Sequence, residues 1–144
     1  MTETQHYSKP LPQPSLESAP FWQGLLEHRL LLQRCAGCAK IRHYPRPVCD
    51  VCYTMEYDWV DASGRGTVHS WTVSHHAFHP GFKTDLPYSV VTVDLDEGVR
   101  MQSRLIGASP DRLCIGLPVE VVYEDVTPEL TLALFRIATD PEAG

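Results

Sequence analysis

From Ser18 the apolar positions fall at helical spacing. In SAPFWQGLLEHR, Ser18 can cap a helix and Pro20 suits its first turn, while Phe21, Trp22, Leu25 and Leu26 recur three to four residues apart. The pattern predicts one short helix ending near His28. A helix of two turns is not stable in water by itself, so its apolar face must be covered either by the rest of the chain or by another subunit. Before it, residues 1–17 carry Pro10, Pro12 and Pro14 and few apolar side chains, which predicts an extended arm, mobile or laid along a partner.

Further on the period shortens to two. YDWVDASGRGTVHSWTVSH (57–75) sets Val68, Ser70 and Thr72 against His69, Trp71 and Val73, with Gly64 and Gly66 permitting a bend or bulge, and predicts one long curved strand. Residues 88–107 read as a hairpin turning at Asp96, Glu97 and Gly98, and residues 117–138 as another connected over 127–130. Five or so antiparallel strands suggest an oligonucleotide/oligosaccharide-binding (OB) barrel. The expected fold is mainly β: an arm over 1–17, a helix and first ribbon strand over 18–33, a metal ribbon over 34–55, the barrel over 56–138 and a tail over 139–144. The stretch HAFHPGFKTDLP, residues 76–87, is long for a hairpin connection and is a candidate functional loop.

The ribbon rests on RCAGCAKIRHYPRPVCDVC (34–52), where four of the chain's five cysteines stand as C-x2-C-x10-C-x2-C. Each C-x2-C places two sulfurs on one tight turn, and two such knuckles close tetrahedrally around one ion. Cys35, Cys38, Cys49 and Cys52 are therefore the expected metal ligands. With four protein ligands no coordination position is left for water or substrate, so the metal is structural. Zinc is the expected ion, although iron accepts the same spacing. Glycine often follows the second cysteine of a knuckle; Ala39 and Tyr53 stand there instead, at some local strain. Cys114, without a partner and among apolar residues, reads as a small buried hydrophobe.

Charge narrows the choice of partners. The formal net charge of −6 disfavours a nucleic-acid backbone. Yet Arg29, Arg34, Lys40, Arg42 and Arg46 follow one another with no acid among the residues from 29 to 46, either a patch for a small anionic ligand or a solvated face. No apolar run is long enough for a membrane span and the start MTETQHYSKPLPQPS has no secretory character, so the expected location is the cytoplasm, where thiols stay reduced. His69, His75, His76 and His79 lie close in sequence, with His69 and His75 expected on one strand face and Asp61 and Asp85 available to orient them. No Ser/His/Asp order, H-E-x-x-H spacing, phosphate loop or nucleophile elbow accompanies them, and they read as loop polarity or partner contacts.

The succession PFWQGLLEHRLLLQRCAGCAKIRHYPRPVCDVC, GRGTVHSWTV and VEVVYEDV resembles the acyl-CoA-associated zinc-ribbon/OB-fold family known as domain of unknown function thirty-five, over roughly residues 18–138. The resemblance implies a rubredoxin-like zinc ribbon ligated by Cys35, Cys38, Cys49 and Cys52 before an OB barrel. It also implies a non-catalytic subunit in a hetero-oligomer with a thiolase-like or sterol-carrier-type aldolase or acyltransferase, in steroid side-chain or aromatic acyl-CoA degradation, the partner holding the catalytic residue. On that reading Phe21, Trp22, Leu25, His76, Phe78 and Phe82 form the partner interface, and Arg34, Lys40, Arg42 and Arg46 approach the CoA phosphates. Two other functions stay open: a free-standing acyl-CoA or lipid carrier, and a single-strand nucleic-acid binder stacking bases on Trp71, Phe78 and Phe82.

Overall fold

A computed structural model describes residues 8–138. The helix α1 runs Ala19–Leu26 behind Ser18, whose side chain makes no capping bond to it. Phe21 and Leu25, 6% and 1% exposed, turn inward into one core with Leu30, Leu32, Val68, Val91, Met101 and Phe135. The chain itself thus covers the inner helix face, and Trp22 and Leu26 stay half-buried.

Strands β1 (Leu31–Cys35), β2 (Ile41–Arg42) and β3 (Tyr57–Asp61) form an antiparallel three-stranded sheet in the order β2-β1-β3. The strand expected over 57–75 is therefore two strands. β3 pairs with β1, and the chain then breaks at Ala62–Gly64, Gly64 adopting φ +77°, before β4 (Arg65–Ser74) enters the barrel. The barrel comprises β4, β5 (Tyr88–Leu95), β6 (Arg100–Leu105), β7 (Pro118–Thr127) and β8 (Leu130–Ile137), closed in the order β4-β5-β6-β8-β7. This is the OB arrangement, and its β6–β8 junction is parallel where only antiparallel pairing was expected.

Alternation explains the barrel core. On β5, Ser89, Val91, Val93 and Leu95 are buried while their neighbours are not. Gly66 lets β4 press on β5, since a Cβ there would lie 2.4 Å from the Asp94 carbonyl oxygen. A register shift between Val68 and Ser70 then resets the strand, so His69 and His75 do not share a face as their spacing suggests; His75 also lies past the strand end. The two hairpins fall where expected. The 76–87 loop carries a 3-10 turn over Pro80–Asp85, capped by His79, whose Nδ1 accepts from the Gly81 N–H at 3.0 Å. The described end of the arm rests on this loop: Ser8 packs over Gly81 and Lys9 pairs with Asp85 at 2.8 Å.

Candidate metal centre and surrounding surfaces

The two knuckles are built alike. Cys35 N–H donates to the Lys40 carbonyl and Cys49 N–H to that of Thr54, while Ala39 and Tyr53 N–H return to the carbonyls of Cys35 and Cys49. The last position of each turn is left-handed, φ +64° at Ala39 and +63° at Tyr53, where glycine is the unstrained residue. The strain anticipated from the sequence is thus located at both. Backbone N–H groups also point at sulfur: Gly37 and Cys38 donate to Cys35 Sγ at 3.3 and 3.4 Å, and Val51 to Cys49 Sγ at 3.4 Å.

The four sulfurs lie within 4.8 Å of one another, with Cys35–Cys52 at 3.4 Å and Cys38–Cys49 at 3.7 Å. A tetrahedron of sulfurs ~2.3 Å from zinc has edges of about 3.8 Å, so the donor set fits that ion. Four thiolates this close repel one another without a cation. The backbone N–H of Cys38 and that of Cys52 pull the thiols of Cys35 and Cys49 down, the latter to about 6. At Cys38 the Lys40 N–H also lowers, but burial and the neighbouring sulfurs outweigh it and push that thiol up to about 11. A divalent ion removes the conflict by binding all four as thiolates.

The basic run is not a free stripe. Antiparallel pairing of β1 with β3 sets Arg34 opposite Asp58 and Leu31 opposite Asp61, and two bidentate pairs form: Arg29 donates to Asp61 at 2.9 and 3.0 Å, Arg34 to Asp58 at 3.1 and 2.9 Å. Lys40 donates to Asp50 at 2.9 Å, which holds that carboxyl below its usual range. Arg42, 6% exposed, donates from Nε to Gln33 Oε1 at 2.6 Å and from Nη2 to the Arg46 carbonyl at 2.8 Å. Gln33 itself is wholly buried, and its Oε1 also accepts the Arg46 N–H at 2.8 Å. Lys40, Arg42 and Arg46 do share a cleft, about 660 Å³, joined across from the barrel by Arg100 and Asp94; Arg34 is not among its walls.

Of the residues expected at a partner interface, Phe21 and Leu25 are core, Trp22 and Phe82 are half-buried, and His76 and Phe78 are exposed, Phe78 at 84%. The reason is amphipathicity: the helix face with the apolar spacing is the one the barrel and ribbon claim. Other apolar side chains at the surface escaped the sequence reading. Val48, Val51, Tyr53 and Met55 are exposed on the second knuckle and the strand entry after it, Tyr53 at 76% and Met55 at 69%. A run of four apolar side chains within eight residues on a metal-held turn was the available signal.

The histidines do not converge. His69 Nδ1 lies 3.3 Å from Asp94, His76 packs edge-on to Phe78, and His79 caps its own turn. Neither Asp61 nor Asp85 orients a histidine; they hold Arg29 and the Lys9/Arg104 pair. His28, left-handed at φ +56° after the helix, is the histidine that bridges distant elements, from Asp125 at 3.0 Å while stacked on Tyr123. Cys114 is exposed rather than buried, because the Cys114–Gly116 turn carries it out of the barrel between Leu113 and Leu117. No helix among the described residues is long and apolar enough to cross a membrane.

Two family models match: "ChsH2, rubredoxin-like zinc ribbon domain" over residues 22–56 and "ChsH2, C-terminal OB-fold domain" over residues 59–124. The first encloses all four knuckle cysteines, and the metal of the ribbon is zinc. The chain is 40% identical over 134 residues to a "Probable enoyl-CoA hydratase alpha subunit" of Thermomonospora curvata, covering 93% of this chain and 41% of the relative. It is 40% identical over 114 residues to the 3-oxo-4,17-pregnadiene-20-carboxyl-CoA hydratase alpha subunit of Mycobacterium tuberculosis, covering 79% and 36%. The chain thus spans well under half the length of these two relatives. A chain in the solved structure of the Ltp2-ChsH2(DUF35) aldolase superposes with a TM-score of 0.82 at 40% identity, covering 90% of this chain and all of that one.

Proposed function

Because the chain belongs to the DUF35 family of ChsH2-type zinc-ribbon and OB-fold proteins, we infer that it is a non-catalytic accessory subunit that docks on an aldolase or hydratase partner acting on CoA esters. The observation that carries this reading is the end-to-end likeness to a chain from an aldolase complex. The closed tetrathiolate fits it, since a metal with four protein ligands supplies architecture and no open coordination site. Steroid side-chain CoA esters are the favoured substrates of the assembly, by likeness to the mycobacterial hydratase subunit. Its place is the cytoplasm, where unbridged C-x2-C pairs persist as thiolates.

The docking surface on this reading is the exposed apolar set of the second knuckle, Val48, Val51, Tyr53 and Met55, together with Phe78 and His76 on the loop. Tyr53 on a metal-fixed turn buries area at low entropic cost, and tyrosine and methionine are both enriched at interface cores. The CoA phosphates are assigned to the cleft of Lys40, Arg42, Arg46 and Arg100. Two experiments test these assignments. Tyr53→Ala with Met55→Ala is expected to weaken co-elution with a sterol-carrier-type aldolase by about tenfold or more, each truncation contributing on the order of 1 kcal/mol; undiminished co-elution would remove the knuckle from the interface. In the assembled enzyme, Arg46→Glu is expected to raise KM for the acyl-CoA and leave that for a truncated thioester unchanged. Equal effects would count against the phosphate contact.

A further inference from the structure

A second cavity, about 380 Å³, opens between α1, the His43–Pro45 turn and the β6/β8 face of the barrel. Aromatic rings form one wall, Trp22, His43, Tyr44 and Phe82, and Met101, Leu132 and Leu134 form the opposite one. Its size and apolar lining are those of sites that hold small organic molecules. One end is polar. Arg104 and Lys9 line it, and both hold Asp85, Arg104 from Nη1 at 3.1 Å and Lys9 from Nζ at 2.8 Å; Glu124 is the acidic residue of the lining.

The Arg104 guanidinium is only partly used. Asp85 takes Nη1, and the planar group stands 5.6 Å from the Tyr88 ring centroid, while Nε is buried without a hydrogen-bond partner. Nη2 makes no hydrogen bond among the described residues and is not among the buried atoms, so it is the N–H group an arriving acceptor can reach. A hydrogen bond from the guanidinium Nη2 to a carboxylate oxygen is charge-assisted and stronger than one to a neutral acceptor. His43 shapes the other side. It packs on Phe21 and Tyr44 at centroid distances of 5.3 and 4.1 Å, its Nε2 is buried without a partner, and burial holds it neutral down to about pH 4. The wall it forms is therefore uncharged near pH 7 and suits an apolar body.

We propose that this cavity is a binding site for an apolar monocarboxylate, its ring or chain against Trp22, Tyr44 and Phe82 and its carboxylate on Nη2 of Arg104. The site is apart from the zinc and from the apolar knuckle and shares His43 alone with the lining of the cationic cleft, and the proposal stands whether or not the chain serves as an accessory subunit. An apolar amide or alcohol of the same shape gives Nη2 only a neutral acceptor, so charge as well as shape selects the ligand.

Titration of the zinc-loaded chain with 2-naphthoate, followed by NMR at the Trp22 indole and the Ser103 and Leu134 amides, tests this directly. Saturable shifts at all three are expected, with 2-naphthamide at least about tenfold weaker, the difference of a charge-assisted pair. Arg104→Gln is expected to bring the acid down to the affinity of the amide. Leu132→Trp, which fills the cavity from a half-buried position, is expected to abolish binding of both while zinc content and melting stay unchanged. The proposal is overturned if naphthoate gives no saturable shift, if acid and amide bind the native chain equally, or if the Leu132 variant binds as the native chain does. The Leu132 arm decides the matter should Arg104→Gln fail to fold.

Discussion

Arg42 shows how far a side chain's identity can mislead about its role. In sequence it is one of five cations in an acid-free run; in the fold it is buried and held by Gln33 Oε1 and the Arg46 carbonyl, joining β1, β2 and the link between knuckles. Arg42→Ala leaves Gln33 Oε1 short of a partner and is expected to cost about 2–4 kcal/mol, read as a lowered urea midpoint. The run looked like a patch because the acids that answer it, Asp58 and Asp61, come from β3, some 24 to 32 residues on, and no local window contains both. The knuckles were more legible, because their chemistry is local: the spacing alone named the ligands and the two strained positions. Ala39→Gly is expected to raise stability by about 0.5–1 kcal/mol, since glycine carries no Cβ penalty at φ +64°; a loss of stability would mean the turn relaxes otherwise.

His43 yields a pH prediction. Burial lowers it from an ordinary 6.5 to about 4, so below 6.5 the unfolded chain takes up a proton that the native protein refuses. Stability from this group is full above 6.5 and declines as pH falls toward 4, by up to about 3 kcal/mol. The carboxylates held down by ion pairs, Asp58, Asp61 and Asp85, lose their contributions only as pH falls through and below 3.8, a lower window. Urea midpoints between pH 7 and 4.5, with zinc content checked at each, are expected to fall less in His43→Phe than in the native chain. Parallel slopes would show that another group titrates.

Among the elements, those defined by their own periodicity emerged from the sequence and those defined by a distant partner did not. The helix of Phe21 and Leu25, the alternation of β5 and the turn at Gly98 each follow from a few neighbouring residues. The division of 57–75 into β3 and β4 did not emerge, because both halves alternate alike and only the pairing of β3 with β1 distinguishes them. The same bulge that hides in β4 separates the faces of His69 and His75. Gly66 marks the closest approach in the barrel, and Gly66→Val, with its side chain directed at the Asp94 carbonyl, is expected to cost more than about 2 kcal/mol by melting. For the helix, Leu25→Ala opens a cavity in a core that Leu30 of the ribbon and Phe135 of the barrel share, and a loss of about 2–5 kcal/mol is expected.

That shared core also makes the protein one cooperative body. Leu30 and Leu32 belong to the ribbon side and Val91, Val93 and Phe135 to the barrel, yet they form a single cluster, so chelation that opens the knuckles is expected to lower the melting temperature of the barrel as well. Around this body lie three surfaces of different chemistry: an apolar knuckle, a cationic cleft and an aromatic cavity. The cleft and the cavity were not legible whole, because each draws residues from segments that the chain keeps apart, whereas the knuckle set lies within eight residues. The account holds that bond-making belongs to a companion enzyme, and turnover of a steroid side-chain CoA ester by the zinc-loaded chain, by a sterol-carrier-type aldolase and by the two mixed tests it most directly. Stable co-elution and turnover above that of the aldolase alone are expected from the mixture, and none from the chain alone; turnover by the isolated chain, or a mixture that neither co-elutes nor gains activity, would contradict it.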